Sequence, residues 1–204
     1  MVSKNVFDKF FSILGIVLLW PVFVLIVLII KLSSSGPAIF KQKRVGQKNK
    51  MFTIYKFRTM IVNDSTNTVS VKGDDRITRI GKFLRKYKLD ELPELWNILK
   101  GDMSFVGPRP DVPGYMDMLE GEDRIILKLK PGLTGPASLK YIDEEEILSN
   151  VDNPIEYNDK VIFPDKVRIN KLYLENWAIL LDLKIIMHTL LRVKYCESNY
   201  FENN

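Results

Sequence analysis

The sequence predicts an α/β protein, mostly helical, in which an N-terminal membrane helix (residues 1–35) precedes a small compact domain (residues 36–204) with short strands and amphipathic helices suited to a membrane interface. Three observations carry this reading. Phe10 to Ile30 is uncharged, a run of about 21 residues that is long enough for a hydrocarbon core of roughly 30 Å. Apolar residues recur at helical spacing in several later stretches, and the positions of Phe52, Ile54 and Phe57 suggest a half-exposed strand. The 46% hydrophobic content over 204 residues suffices for one core beyond the anchor.

The N-terminal run is too long for the apolar part of a cleavable leader, and Lys31-Leu32-Ser33-Ser34 is a poor cleavage site. Pro21 lies at its centre, where a missing N–H interrupts the helical ladder and predicts a bend. Lys4 and Lys9 precede the run, and Lys31, Lys41, Lys43 and Arg44 follow it. Basic residues favour the cytoplasmic side, so both flanks are drawn to the same face. A re-entrant helix satisfies both signals; a single kinked span is the other reading.

Lys41 to Arg58 holds seven basic residues and no acid, a strand region that suits phosphate or anionic headgroups. Asn63 to Asp75, polar and aperiodic, is expected to be a loop able to cover a substrate. Two short helices follow. Ile80, Phe83, Leu84 and Tyr87 mark one, Leu92, Leu95, Trp96 and Leu99 the other, with a joint near Lys88 and Leu89. Asp90 is placed at the start of the second helix, with Pro93 in its first turn and Gly101 past its end. Free backbone donors and the helix dipole would hold Asp90 as an anion, able either to cap the helix or to act as a nucleophile, while Glu91 could hold a divalent cation.

Met103 to Val106 reads as a strand leading into Gly107-Pro108-Arg109-Pro110. Pro108 fixes its own φ and Pro110 restricts Arg109, so a guanidinium on stiff backbone is offered to a phosphate, with Arg85 as a second positive charge. Pro131-Gly132 suits a type II turn. Asp143 to Glu146 reads as a solvated helix start, and Trp177 to Arg192 as a helix with Ile179, Leu183, Ile186 and Leu190 on one face, for the core or the membrane interface.

Lys and Arg number 30 against 25 Asp and Glu, a net +5 that suits anionic partners without choosing among them. A single cysteine, Cys196, excludes an internal disulfide, and a single histidine, His188, leaves no Cys/His zinc set. Both are expected to be packing residues. There is no internal repeat, Walker loop, dinucleotide fingerprint or nucleic-acid module, so no nucleic-acid partner is expected.

The stretch LDELPELWNILKGDMSFVGPRP resembles the signature of the bacterial sugar transferases, specifically the small monotopic polyprenol-phosphate phosphoglycosyl transferases. The similarity extends to Gly36-Pro37, Lys43 to Gly46, Tyr55 to Met60, Arg76 to Thr78, and Lys130 to Gly135. The resemblance implies a re-entrant anchor bent at Pro21 and a catalytic domain on the cytoplasmic face of the bacterial inner membrane, in contact with its lipid and open to homo-oligomerisation. It also implies transfer of a phospho-sugar from a nucleoside-diphosphate sugar, UDP-linked, to a polyprenol phosphate such as undecaprenyl phosphate, with release of UMP, as the first membrane step of glycoconjugate and polysaccharide assembly. Under this reading Asp90 is the nucleophile that forms an aspartyl-phosphosugar, Glu91 with Asp90 holds Mg²⁺, and Lys56, Arg85, Pro108 and Arg109 form the substrate-binding set. The sequence departs from the pattern in two places: Trp20 stands where a Ser commonly precedes the proline, and Pro136 to Tyr141 replaces an Ala-Gln-Val-Asn-Gly-Arg type of sequence. A glycosidase using Asp90 and Glu91 is disfavoured, because adjacent carboxylates cannot readily straddle a glycosidic bond across about 5 Å. A membrane-anchored nucleotide-sugar or partner-binding protein remains the rival class.

Overall fold

Helix α1 runs from Val2 to Ser33 and continues through Pro21. Proline removes one ladder hydrogen bond there without ending the helix. At 1.5 Å per residue α1 is about 48 Å long, more than a hydrocarbon core requires. The computed structural model describes residues 2–61 and 76–201; the expected loop Asn63 to Asp75 lies outside the described residues. The described chain is mostly helical. Strands β1 (Ile39–Val45) and β2 (Met51–Phe57) pair as one small sheet, and β3 (Ser104–Val106) and β4 (Gly132–Thr134) as another.

Contacts group the described chain into two compact units, residues 2–42 with 53–101, and residues 43–52 with 102–201. The division expected at residue 35 follows hydropathy, and α1 shares its unit with the segment that carries Asp90. In this first unit Ile26 and Ile30 of α1 pack with Ala38, Phe57 and Leu84, and with Leu89 and Leu92 beside them. Most other apolar side chains of α1, among them Val17, Leu18, Trp20, Leu25 and Leu28, are exposed. Helix α2 (Arg79–Lys86) begins where the Thr78 hydroxyl accepts the Gly81 N–H. Helix α3 (Glu94–Lys100) ends at Gly101, whose φ of 90° is the left-handed cap conformation that glycine adopts without strain.

The second unit is built on β3 and β4, which run parallel with Ser104 opposite Gly132 and Val106 opposite Thr134. The type II turn expected at Pro131-Gly132 does not form. Gly132 opens β4 instead, and a Cβ there would lie 2.2 Å from Gly107 N, so the absent side chain permits close approach of two backbones. Around this pair stand α4 (Pro136–Lys140), α5 (Glu144–Ser149), α6 (Pro154–Tyr157), α7 (Phe163–Glu175) and α8 (Ile179–Leu191). Their core holds Val106, Leu139, Ile169, Tyr173 and Ile185, closed by Tyr200 and Phe201 near the C-terminus. Buried Asp182 accepts the Tyr173 hydroxyl at 2.5 Å and the Trp177 indole N–H at 3.1 Å, so its charge is solvated by protein donors. α8 buries Asp182 and Ile185, while Leu183 and Leu190, assigned to its apolar face from spacing, are exposed with Leu180 and Met187. His188 meets the Tyr200 hydroxyl, consistent with a packing role, whereas Cys196 is exposed and packs in no core.

Candidate active site

Parity along β2 brings the first site residue inward. Phe52 and Ile54 are buried on one face of the strand, and Lys56, two residues on, shares that face. An ammonium placed there needs anionic partners. Lys56 Nζ donates to Glu91 Oε1 at 2.9 Å and lies 3.1 Å from Glu94 Oε1, the latter without the alignment of a hydrogen bond. Glu91 and Glu94 are both buried. β2 is in turn tied to α3 by Asn97, which is fully buried: its amide donates to Thr53 O at 2.7 Å and its carbonyl accepts the Tyr55 N–H at 3.1 Å.

Asp90 does not cap α3. Leu89–Glu91 form a separate 3₁₀ turn, Pro93 takes the N-cap position with αR dihedrals, and no side chain caps it. Ahead of the turn Lys88 adopts φ 56°, ψ 22°, a sparsely populated conformation for a residue with a Cβ. That reversal separates α2 from α3 at the predicted joint. Asp90 is 8% exposed, and its Oδ1 accepts no hydrogen bond among the described residues. Burial, reinforced by the neighbouring Glu91 carboxylate, raises the Asp90 pKa above the ordinary carboxylate value; Lys56, Lys88 and Arg85 oppose the shift. The expected lowering by a helix N-terminus is therefore corrected, because desolvation outweighs a dipole that the side chain does not cap. A carboxylate made more basic is a better nucleophile wherever it is ionised.

Arg85 is half-buried, and its Nε donates to the Thr59 hydroxyl at 3.1 Å. The first unit thus brings Lys56, Arg85, Asp90 and Glu91 together and adds Glu94, Asn97 and Thr59, which the sequence reading passed over. Glu94 had a signal, standing four residues after Asp90 on a helical stretch. Asn97 and Thr59 lie within stretches that carry the family resemblance, but no local pattern marked either as a site residue.

Pro108 and Arg109 belong to the second unit. Gly107 N donates to Thr134 O at 2.9 Å, Pro108 O accepts Gly132 N–H at 2.7 Å, and Pro110 O accepts Arg44 Nη1 at 3.2 Å. Backbone on both sides of Arg109 is thereby held, and the Arg109 side chain is exposed while both flanking prolines are buried. Two residues on, burial pushes the Asp111 carboxyl up to about 6, against the pull of Lys166 and Arg44. Pro21 lies within α1, away from this loop in sequence and in the other unit.

Among the described residues no three His, Cys, Asp or Glu side chains converge as a ready-made metal cage. Asp90 and Glu91 fit instead the sparse protein ligation of Mg²⁺, which typically takes one or two carboxylates and completes its shell with water and substrate phosphates. The unpartnered buried Oδ1 of Asp90 is the oxygen that such an ion would satisfy.

A family model described as "Bacterial sugar transferase" matches residues 1–195 of the chain. The chain is 38% identical, over 94% of its length, to a UDP-glucose:undecaprenyl-phosphate glucose-1-phosphate transferase of Klebsiella pneumoniae, and covers 40% of that protein. It is 33% identical, over 92% of its length, to a UDP-N-acetylgalactosamine-undecaprenyl-phosphate N-acetylgalactosaminephosphotransferase of Aeromonas hydrophila, and covers 42% of it. Against the exopolysaccharide production protein ExoY of Sinorhizobium fredii the identity is 32%, over 98% of the chain and 88% of the relative. The chain thus spans about two fifths of the length of the first two relatives and most of the third.

Proposed function

The chain belongs to the bacterial sugar transferase family, and from that premise we propose that it moves a sugar phosphate from a UDP-sugar to undecaprenyl phosphate, or a similar polyprenol phosphate, through a covalent intermediate on Asp90. The observation that carries this reading is the arrangement of Asp90: a buried carboxylate with one unpartnered oxygen, raised basicity, and Lys56, Lys88 and Arg85 close enough to bias its charge. The relatives' names supply the substrate class, a UDP-sugar and a lipid phosphate.

Asp90 attacks the sugar-proximal phosphorus. A carboxylate O–P bond forms, the bond from that phosphorus to the bridging oxygen breaks, and UMP leaves with the bridging oxygen. A phosphate oxygen of the lipid then attacks the same phosphorus and expels the Asp90 carboxylate, giving lipid diphosphate sugar. Glu91, with Asp90, would hold Mg²⁺, which when bound supplies positive charge to the phosphoryl oxygens. Lys56 keeps Glu91 oriented at 2.9 Å. Arg85 adds charge opposite the developing negative oxygens, and Arg109, on backbone fixed beside Pro108, offers a two-pronged contact to a phosphate.

We place the protein at the bacterial inner membrane, with α1 re-entrant and the catalytic residues on the cytoplasmic face. Basic flanks at both ends of α1 and Pro21 at its centre support re-entry. At the end of α2, exposed Phe83 and Tyr87 meet with their rings tilted by 55°, and Lys86 Nζ lies 5.5 Å from the Tyr87 ring centre, a pairing suited to an anionic bilayer surface. The exposed Leu180, Leu183 and Leu190 of α8 suit the same environment.

Incubation of the full chain with Mg²⁺ and a panel of UDP-sugars, without lipid acceptor, tests the mechanism. The matching donor releases about one UMP per active site and adds the mass of a phosphosugar to the peptide carrying Asp90. Asp90→Asn abolishes both. Full lipid-dependent turnover with no adduct, together with substantial activity of Asp90→Asn, would overturn the covalent assignment.

A further inference from the structure

Residues on both sides of Ile54 meet a single side chain of α3. Strand β2 faces β1 through its even-numbered backbone groups: Gly46 N–H donates to Lys50 O at 2.9 Å, and Arg58 N–H donates to Ala38 O at 2.8 Å. Backbone groups alternate in direction along a strand, so those of Thr53 and Tyr55 point to the opposite edge. Asn97 takes that edge. Its amide donates to Thr53 O at 2.7 Å and its carbonyl accepts the Tyr55 N–H at 3.1 Å, the two bonds that a residue of a parallel neighbouring strand would make opposite Ile54. A side chain here stands in for a peptide group.

Asparagine is a weak helix former whose bonds to nearby backbone usually place it at caps and turns. Asn97 lies instead inside α3, fully buried beside buried Ile98. Glu94 precedes it by three residues and shares its helical face, and Glu91 precedes Glu94 by three more. On β2 the face that buries Ile54 continues to Lys56, whose Nζ lies 2.9 Å from Glu91 Oε1 and 3.1 Å from Glu94 Oε1. A shift of one residue would turn Lys56 to the other face of the strand, so the register of β2 against α3 decides whether its ammonium meets these carboxylates.

We infer that Asn97 is a positioning residue: its carboxamide pins β2 to α3 in the register that sets the Lys56 ammonium between Glu91 and Glu94. The pin acts on where Lys56 is held, whatever else the two glutamates bind. Its consequence for catalysis rests on the transferase reading of Asp90 and Glu91. Leucine, of nearly the same size, fails at this position because it leaves Thr53 O and Tyr55 N–H without these bonds.

The test uses the full chain in detergent, as wild type, Asn97→Leu, Lys56→Met, the double variant Asn97→Leu/Lys56→Met, and Ile98→Val, which trims the neighbouring buried side chain and touches neither bond. Acetylation of Lys56 by an amine-directed reagent is a readout free of turnover, measured by peptide mass spectrometry against exposed Lys48 and Lys50. Asn97→Leu is expected to raise Lys56 labelling, relative to those two, by about threefold or more, a factor at the low end of coupling within a bonded network. Ile98→Val leaves it at the wild-type level. With a UDP-sugar that the wild type turns over, Asn97→Leu lowers kcat/KM by about tenfold. The double variant loses less than the product of the two single losses, because the pin acts through the lysine. If Asn97→Leu fails to fold, Asn97→Ser, which can keep one of the two bonds, takes its place. Unchanged Lys56 labelling in the Asn97 variant, an equal rise in Ile98→Val, or multiplicative losses in the double variant overturns the proposal. A wild type that turns over no UDP-sugar refutes the transferase reading instead, and the labelling still decides whether Asn97 holds Lys56.

Discussion

Replacing Lys56 by Met keeps the stem of the side chain and removes the ammonium that lies between Glu91 and Glu94. Each carboxylate lies about 3 Å from Nζ, and at an effective dielectric near 20 each contact carries roughly 5 kcal/mol of gross attraction. Desolvation of the ions offsets most of it; breaking a buried pair typically costs about 3–5 kcal/mol where the remaining charge is left uncompensated, an upper bound for this site. The Lys56 side chain is 18% exposed, against 9% for Glu91 and 3% for Glu94, so solvent screens part of this. A loss of about 2–3 kcal/mol is expected, which for a chain of this size lowers Tm by roughly 4–12 °C. The variant also moves Asp90. Its pKa is already raised, and Lys56 is first among the cations that oppose the rise. Without Lys56 the carboxyl holds its proton to higher pH, and the acidic limb of the activity profile shifts upward. Thermal unfolding by tryptophan fluorescence and a kcat/KM profile across the acidic range check both. A Tm within about 1 °C of wild type, which is below half a kcal/mol, with an unmoved acidic limb, would refute the role given to this cation.

Asp90→Asn should raise Tm at neutral pH, and the gain should vanish on acidification. The folded-state pKa is raised by burial, so the wild-type carboxyl contributes stability below its unfolded value and loses it as pH climbs through the folded value; equal Tm values at every pH would contradict that. Arg109→Lys should fold normally yet lose about ten- to a hundredfold in lipid-dependent UMP release, because an ammonium lacks the two-pronged fork; turnover near wild type would reduce Arg109 to a turn residue. Gly132→Ala puts a Cβ 2.2 Å from Gly107 N and should cost more than about 3 kcal/mol or prevent folding, whereas Gly114→Ala, at φ 108° with open space around it, should cost only about 1 kcal/mol; comparable denaturant midpoints would show that β3 and β4 can separate at little cost. In a Cys196→Ser background, single cysteines at Ser3 and Ser34 should both resist a membrane-impermeant thiol reagent in intact cells, and labelling of either from outside would sink the re-entrant topology.

The sequence by itself determined the elements whose cause is local. An uncharged run made α1, two apolar stripes made α2 and α3 with their joint at Lys88, and the density of ordered motifs around Asp90 identified the family. What lies across the chain was decided by tertiary packing. Lys56 and Glu94 are 38 positions apart, and no local pattern told Lys56 from Lys41 or Lys43 until strand parity and the fold of α3 set its ammonium between two carboxylates. Asp90 shows the same limit in its charge. A helix-start rule lowers its pKa, but the chain turns through a 3₁₀ segment there and packs Leu89 and Leu92 against α1, and the resulting burial raises it. Gly132 was legible as a glycine that mattered, yet turn chemistry and close approach call for the same residue. Only the backbone of Gly107, brought within reach by a parallel strand pair, distinguishes them, because the separation of two backbones is a property of the fold rather than of either segment.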